Sequence, residues 1–233
     1  MSDNLLQRAV AVVLIGAVAV TACLQGAAKN TSDTPKPAGT SPVMVPEGDG
    51  APVVTDGIFT AGEWDDAVPI PLREGAELRL KQYRGVVYVG VRSMNKNAVE
   101  IGPSELFLAE PGGPIHRFHV SAQLSEVVLP PTGPVPASRF GFTVDWYANE
   151  LRRDEEEAKR FQKEGKSPIE IIRATSYPSD GIEFAIRRSK FPGGRWLMRL
   201  WVSAFVDNQP GMFTYPPAAV ERSTDGWVEL QLK

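Results

Sequence analysis

Side chains alternate between apolar and polar along most of the chain after residue 52. The segment 77–83, ELRLKQY, alternates in this way, and the apolar segment 86–92, VVYVGVR, follows it after only Arg84 and Gly85, which suits a tight hairpin turn. Successive side chains of a strand point to opposite faces, so such segments suit sheets with one buried face. Further segments of this kind occupy 105–109, 115–122, 169–175, 181–188, 195–206 and 226–233. The spacing predicts a mostly β protein, an antiparallel β-sandwich of immunoglobulin-like type.

One segment has a different pattern. Residues 145–166, DWYANELRRDEEEAKRFQKEGK, are rich in helix-forming residues, and Asp145 is placed to cap a helix. Glu155 with Lys159 and Glu156 with Arg160 have the i,i+4 spacing that favours a helix. The sequence predicts one helical insertion at 145–166 that ends near Gly165.

Charge and cysteine content exclude several classes of protein. The 233 residues carry a net charge of −3, with a sequence pI of about 5.6, and no concentrated basic patch. We therefore expect no nucleic-acid partner. A single cysteine, Cys23, excludes an intramolecular disulfide and a zinc site built from several cysteines.

The setting of Cys23 indicates a different role for it. Residues 9–22, AVAVVLIGAVAVTA, form an apolar run that is too short for a comfortable membrane span and typical of a signal peptide. The sequence VTAC at 20–23 resembles the bacterial lipobox, which implies cleavage before Cys23 and a lipid on its sulfur. We expect residues 1–22 to be a signal peptide and the mature protein to be a membrane-anchored lipoprotein on the periplasmic or cell-surface side. An ordinary signal peptide or an N-terminal anchor helix is the alternative.

The segment after Cys23 has the composition of a tether. Residues 24–51 are rich in Pro, Gly, Ser and Thr and show no apolar period, so they bury too little surface to fold. The predicted organisation is a signal peptide at 1–22, a lipidated cysteine with a disordered linker at 23–51, and a β-sandwich domain at 52–233.

Six segments follow one another along the chain: VVTDGIFTAGEWDDA at 53–67, LRLKQYRGVVYVGVRS at 78–93, SELFLAEPGG at 104–113, IHRFHVSA at 115–122, GIEFAIRRSKF at 181–191 and GWVELQLK at 226–233. In this order they resemble family 9 carbohydrate-binding modules and their DOMON-like relatives. The resemblance implies a DOMON-like β-sandwich and a non-catalytic module, with a glycan as the leading ligand class. The two tryptophans with which sugar-binding members clamp a sugar have no counterpart here, because NAVEIGPS at 97–104 and VERSTD at 220–225 contain no aromatic residue.

The resemblance implies a structural role for the first of these segments. Its Glu-Trp turn belongs to the fold in such proteins, so we expect Trp64 to close one end of the core. The alternative is a calcium site, because carboxylate oxygens suit that ion. Its candidate ligands are Asp56, Glu63, Asp65 and Asp66.

Catalytic and metal motifs are not evident in the sequence. His116 and His119 are three residues apart on a predicted strand, so they point to opposite faces and cannot readily share a metal. Neither a nucleophile elbow, a P-loop nor an HExxH motif occurs. We expect no enzyme, no metal site and no cofactor. Some DOMON-like relatives bind haem, and the nominal ligands for that alternative are Met94, Met198 and His116.

The strand at 195–206, RWLMRLWVSAFV, supplies the candidate ligand site. One parity is entirely apolar and predicts a core face, whereas the other mixes arginine, serine and aromatic residues. Such a mixture suits a shallow surface where a ring stacks on a ligand and polar groups orient it. The candidate ligand-binding residues are Arg199, Trp201, Ser203 and Phe205. The alternative is that the helical insertion or a loop covers this face.

These observations leave two functional hypotheses. The first is a lipid-anchored, extracytoplasmic binding module whose ligand is a carbohydrate. The second is a protein-interaction or assembly lipoprotein that meets its partner through the helical insertion.

Replacement of Cys23 by Ser tests the anchor. We expect Cys23→Ser to abolish lipidation and to move the protein from the membrane to the soluble fraction, because the sulfur is the attachment point. Fractionation, with intact mass measured on the purified protein, checks this. A Cys23→Ser protein that stays in the membrane at its unmodified mass would show that the lipoprotein prediction is wrong.

Overall fold

The computed structural model of the protein describes residues 41–95, 99–149, 155–167, 179–207 and 209–233. The predicted signal peptide, Cys23 and residues 24–40 of the predicted linker lie outside these ranges, as does the strand predicted at 169–175. Across the described ranges, no helix has both the length and the apolar character needed to cross a membrane.

Thirteen strands and one α-helix occur in the described residues. In chain order the elements are β1 Val43–Val45, β2 Val68–Pro71, β3 Ala76–Tyr83, β4 Val86–Ser93, β5 Val99–Ala109, β6 Ile115–Val120, β7 Leu124–Leu129, β8 Arg139–Phe140, β9 Trp146–Ala148, α1 Glu155–Lys163, β10 Gly181–Arg187, β11 Arg195–Val206, β12 Gln209–Tyr215 and β13 Val228–Leu232. Two short 3₁₀ helices, Arg73–Gly75 and Arg188–Lys190, lie before β3 and after β10.

The strands form two sheets. The eight-stranded sheet has the order β1-β13-β11-β5-β6-β7-β8, with β12 paired to the second half of β11. The five-stranded sheet has the order β2-β3-β4-β10-β9. Apolar residues of both sheets form one buried core, including Leu80 and Phe184 from the smaller sheet and Leu106 and Leu200 from the larger. The predicted β-sandwich is confirmed.

The hairpin of β3 and β4 forms as the alternating pattern predicts. Tyr83 pairs with Val86, and Arg84 and Gly85 form the turn with φ of 48° and 77°. Two positive φ angles give the turn the twist that matches the flanking strands. Leu78, Leu80, Val89 and Val91 are fully buried on the inner face, so the register set by the turn places the apolar residues in the core.

The predicted linker extends too far along the chain. Val43–Val45 form β1, which pairs in parallel with Leu230–Leu232 of β13, and Val45 is fully buried. The Gln82 side chain donates to the carbonyl oxygen of Val45 at 2.7 Å, and its backbone N–H donates to that of Pro46 at 2.8 Å. A strand of three residues beside prolines has no visible period, which is why composition alone assigns it to the linker.

The predicted helix begins too early. Trp146–Ala148 form β9 and pair with Phe184–Ile186 of β10, so Asp145 caps no helix. The described helix runs from Glu155 to Lys163 and is followed by Gly165, at a φ of 75°. Glu156 forms an ion pair with Lys159 at 2.7 Å, and Arg160 Nε lies 3.9 Å from Oε1 of Glu164. Two residues of β9 are fully or almost fully buried against the sandwich, and this packing outweighs the helical propensity of the neighbouring sequence.

Trp64 packs on the outer face of the five-stranded sheet rather than at one end of the central core. It stacks on Phe59, with ring centroids 5.1 Å apart, and meets Tyr88 edge-on at 6.5 Å. A Cβ atom on Gly90 of β4 would lie 2.7 Å from the indole ring, so the ring occupies space that only glycine leaves. Trp64, Val53 and Tyr88 form a separate buried cluster that seals this face.

A buried carboxylate fastens this segment to the sheet. Glu183 of β10 is fully buried and accepts hydrogen bonds from the backbone N–H groups of Asp56, at 3.0 Å, and Gly57, at 2.8 Å. Its other oxygen accepts from Trp64 Nε1 at 2.9 Å. Burial raises the pKa of Glu183 to about 7, although the three N–H donors oppose that shift.

Truncation of Trp64 is expected to destabilise the domain. A buried aromatic residue changed to Ala typically costs about 3–5 kcal/mol, and Trp64→Ala also leaves Glu183 without one donor. Urea unfolding of Trp64→Ala against wild type measures the loss. Unchanged unfolding would mean that the ring is not part of a stabilising core.

Glu183 predicts a pH dependence of stability. Its folded pKa of about 7 lies above the ordinary value of 4.5 for a glutamate, so the folded state holds a proton that the unfolded state releases between these values. Stability from this group is therefore complete below pH 4.5 and is lost as pH rises through 7. Urea unfolding at pH 5 and pH 7.5 should show a smaller difference for Glu183→Gln than for wild type. Equal differences would contradict the assignment.

Candidate functional site

The two faces of β11 divide as the alternation predicts. Trp196, Met198, Leu200 and Val202 are fully buried and contribute to the core between the sheets. Arg199, Trp201, Ser203 and Phe205 have the opposite parity and therefore lie on the outer face of the eight-stranded sheet. The four residues predicted to bind a ligand thus occupy one face.

A loop covers the first half of this outer face. Residues 216–227 connect β12 to β13, and Trp227 at the end of this loop meets Phe107 of β5 edge-on, with centroids 6.2 Å apart. The outer apolar cluster consists of Phe107, Ala109, Ile115, Val127, Leu129 and Trp227, against which Leu197, Trp201, Val135 and Ala219 pack. Part of the face is therefore covered by a loop, and Trp201 lies at the edge of the covered part.

Arg199 lies within the covered part. It is 7% exposed, and its guanidinium carbon lies 4.4 Å from the centroid of the Phe107 ring. Burial lowers the pKa of Arg199, while the nearby carboxylates of Glu221 and Glu105 oppose the shift. Among the described residues, its Nε and Nη1 atoms find no hydrogen-bond partner. The ring of Phe107 and the nearby carboxylates of Glu221 and Glu105 therefore stabilise the charge of Arg199. Two of its N–H donors still lack an acceptor among the described residues.

The neighbouring strands add further charged side chains. In one row across the sheet, Arg199 of β11 pairs with Phe107 of β5, which pairs with Arg117 of β6. In the next row on the same face, Trp201 pairs with Glu105, which pairs with His119. Arg117 Nη1 lies 3.9 Å from Oε1 of Glu105 and 3.9 Å from Oε1 of Glu221 in the loop. His119 Nδ1 lies 3.4 Å from Oε1 of Glu105. The outer face is thus a mixed charged surface next to an indole ring.

The second half of the face is more open. Trp201, Ser203 and Phe205 are half-buried, and on β12 Met212, opposite Ser203, is exposed. The pairing of β5 with β11 shifts register between Val202 and Ala204, so β5 is irregular beside Ser203. We call the surface formed by Trp201, Ser203, Phe205, Glu105 and His119 the Trp201 surface.

Sequence patterns did not identify Glu105, Arg117, His119 and Glu221 as neighbours of the predicted four residues. Glu105, Arg117 and His119 carry a weak signal, since each is a polar residue on the non-core parity of its strand. Glu221 lies in a loop and has no such signal. Only the order of the strands brings these side chains together.

The acids of the first segment do not converge on a metal site. Asp66 pairs with the buried Lys81 at 2.5 Å, and Asp56 Oδ1 accepts from the Ile58 N–H at 2.8 Å. Glu63 is almost fully buried and Asp65 is exposed. Within the ranges that the structure describes, no three His, Cys, Asp or Glu side chains are grouped to hold a metal ion. The acids that were the calcium candidates therefore belong mainly to the folding of this segment.

The two histidines point to opposite faces, as predicted. His116 packs beside Phe118 and Phe191, and its Nδ1 lies 2.8 Å from Glu126 Oε1. Burial alone would raise the pKa of Glu126, but hydrogen bonds from His116 and Lys190 hold it below its ordinary value. Of the nominal haem ligands, Met198 is buried in the core and Met94 is exposed.

No protein-family model matches the chain, and no curated protein matches it. Among solved structures, the chain is similar to a family 9 carbohydrate-binding module from Caldicellulosiruptor kristjanssonii, determined in complex with cellotriose. The two share 14% sequence identity, and the match covers 83% of this chain and 94% of the other, with a TM-score of 0.44.

Proposed function

We propose that this protein is a non-catalytic binding domain that holds a carbohydrate on the Trp201 surface. We further propose that a lipid on Cys23 anchors it on the extracytoplasmic side of a membrane, with the preceding residues removed as a signal peptide. The anchor is supported by the apolar run at 9–22 and the VTAC sequence before and at Cys23.

One observation carries the binding proposal. Trp201 is a half-buried indole whose neighbours across the sheet are polar or charged, namely Glu105 and, beyond it, His119. An aromatic ring surrounded by a few fixed polar groups is suited to a sugar, whose ring stacks on the indole while its hydroxyl groups bind the polar side chains. Stacking of the sugar ring and orientation of its hydroxyl groups involve no chemical step.

The arrangement also supplies fixed positions for the polar groups. Glu105 lies on β5, whose pairing with β11 is the longest described in this sheet and which pairs with β6 on its other side. His119 Nδ1 lies 3.4 Å and Arg117 Nη1 3.9 Å from its Oε1. Groups on paired strands are held more firmly than groups on loops, so they do not need to be ordered when a ligand binds. The open half of the face, near Ser203 and the exposed Met212, leaves room for a sugar chain longer than one residue.

A protein-binding role is the second candidate, favoured by a separate surface. Three exposed apolar residues precede the helical insertion: Phe140, which ends β8, and Phe142 and Val144, which lie between β8 and β9. Exposed apolar residues grouped in this way are typical of a surface that meets another molecule. Phe140→Ser combined with Phe142→Ser should abolish co-purification of a partner if this surface binds one, without altering sugar binding.

The Trp201 surface makes a spectroscopic prediction. A sugar that stacks on Trp201 should change the tryptophan fluorescence of the protein, and Trp201→Phe should remove most of that change. Trp201→Ala should weaken binding about fivefold, because the loss of a stacking contact of roughly 1 kcal/mol raises Kd by that factor. Titration with cello-, xylo- and uronate oligosaccharides, followed by fluorescence and calorimetry, measures both.

Phe142→Ala is the matched control, since Phe142 is an exposed aromatic residue away from this face. It should bind as wild type does. If wild type binds a sugar and Trp201→Ala binds it equally well, the site lies elsewhere. If Trp201→Ala unfolds, Trp201 is chiefly part of the outer apolar cluster.

A further inference from the structure

Two arginines on the outer face have buried donors without acceptors. They are Nε and Nη1 of Arg199 and Nε of Arg117, and none of the three finds a hydrogen-bond partner among the described residues. Buried donors are almost always paired, and a guanidinium presents its N–H groups in a fork that fits a carboxylate. The two side chains lie on opposite sides of Phe107, in one row across three paired strands.

The carboxylates of the protein do not satisfy these donors. Arg117 Nη1 is 3.9 Å from both Glu105 and Glu221, which is too far for a hydrogen bond. Glu105 is also shared with His119, at 3.4 Å. Glu221 lies on the loop at 216–227 and is largely exposed, so it balances the charge without closing a bidentate pair. The arrangement is that of an anion site with a loop carboxylate standing near it.

Resting on the proposed function, we infer that the carbohydrate carries a carboxylate, as a uronic acid does, and that this group binds over Phe107 to both Arg199 and Arg117, in the place that the loop with Glu221 now covers. Glu221 is the side chain that the ligand carboxylate displaces, because it is an exposed loop residue whose Oε1 lies 3.9 Å from Arg117 Nη1, too far for a hydrogen bond. Trp201 is two residues from Arg199 on the same face, about 7 Å away, so one sugar ring with its carboxylate reaches both. Burial lowers the pKa of Arg199, which means that its charged form is poorly solvated, so an anion bound beside it would stabilise that form.

Matched ligands test the inference on the unaltered protein. The probes are short oligosaccharides of galacturonic, glucuronic and mannuronic acid, their methyl esters, and neutral oligosaccharides of equal length, measured by calorimetry at low salt. At least one acid should bind at least tenfold more tightly than its own methyl ester, because hydrogen bonds to charged groups are worth more than neutral ones. That preference should weaken as salt is added.

Two variants locate the charge effect without disturbing the core. Glu221→Gln should bind the acid about three- to fivefold more tightly and leave the methyl ester unchanged, since a competing carboxylate is removed. Glu47→Gln is the control, because Glu47 is an exposed carboxylate next to the five-stranded sheet and the substitution changes net charge equally. Arg117→Gln should weaken acid binding and not ester binding.

The other possible results separate failure of the carboxylate site from failure of the proposed function. Equal binding of acid and ester, or binding of neutral sugars alone with dependence on Trp201, overturns the carboxylate site and leaves the proposed function standing. If Glu221→Gln and Glu47→Gln raise the affinity for the acid equally, the ligand carboxylate does not bind beside Glu221. If wild type binds no sugar at millimolar concentration while its melting temperature shows it folded, the proposed function fails, and the inference with it.

Discussion

The carboxylate of Glu183 joins two parts of the chain that are more than a hundred residues apart. It lies on the outer side of β10 and accepts hydrogen bonds from two backbone N–H groups and one indole N–H of residues 56–64. Without this carboxyl group, the three N–H donors of that segment would lose their acceptor next to the stacked rings of Phe59 and Trp64. Lys81, equally buried, does the reverse for the same segment by donating to the carbonyl oxygens of Ala51 and Glu63 and to Asp66. One buried carboxyl group and one buried ammonium group therefore organise a stretch that contains no regular strand of its own.

Alternation along the chain was sufficient to predict the sandwich and the faces of its long strands. The hairpin of β3 and β4, the extent of β11 and the opposite directions of His116 and His119 all follow from a period of two, because that period is a local property. The limits of the linker and of the helix could not be predicted from this local pattern. β1 is too short to show a period, and β9 lies in sequence that favours a helix, so in both cases the decision rests on distant partners, namely β13 and β10.

The candidate site divides in the same way. Sequence parity identified Arg199, Trp201, Ser203 and Phe205 as one face, since all four belong to a single strand. It gave no register between strands, so it did not place Glu105 beside Trp201 or Arg117 beyond Phe107. It also gave no position for the loop at 216–227, which separates the face into a covered half with Arg199 and an open half with Ser203. Long-range pairing and loop placement are the information that a local pattern lacks.

β1 has a mechanical consequence. Any pull on the residues before 41 reaches the sandwich through three paired positions between Val43–Val45 and β13, together with the hydrogen bonds to Gln82. β13 is in turn clamped along β11 by four paired positions. The first described strand and the last therefore bear load side by side, and detachment of β1 would uncover Val45 and the edge of β13 while the remaining strands keep their pairing. Force applied at this edge is therefore expected to release β1 before it separates the longer pairing of β11 with β5.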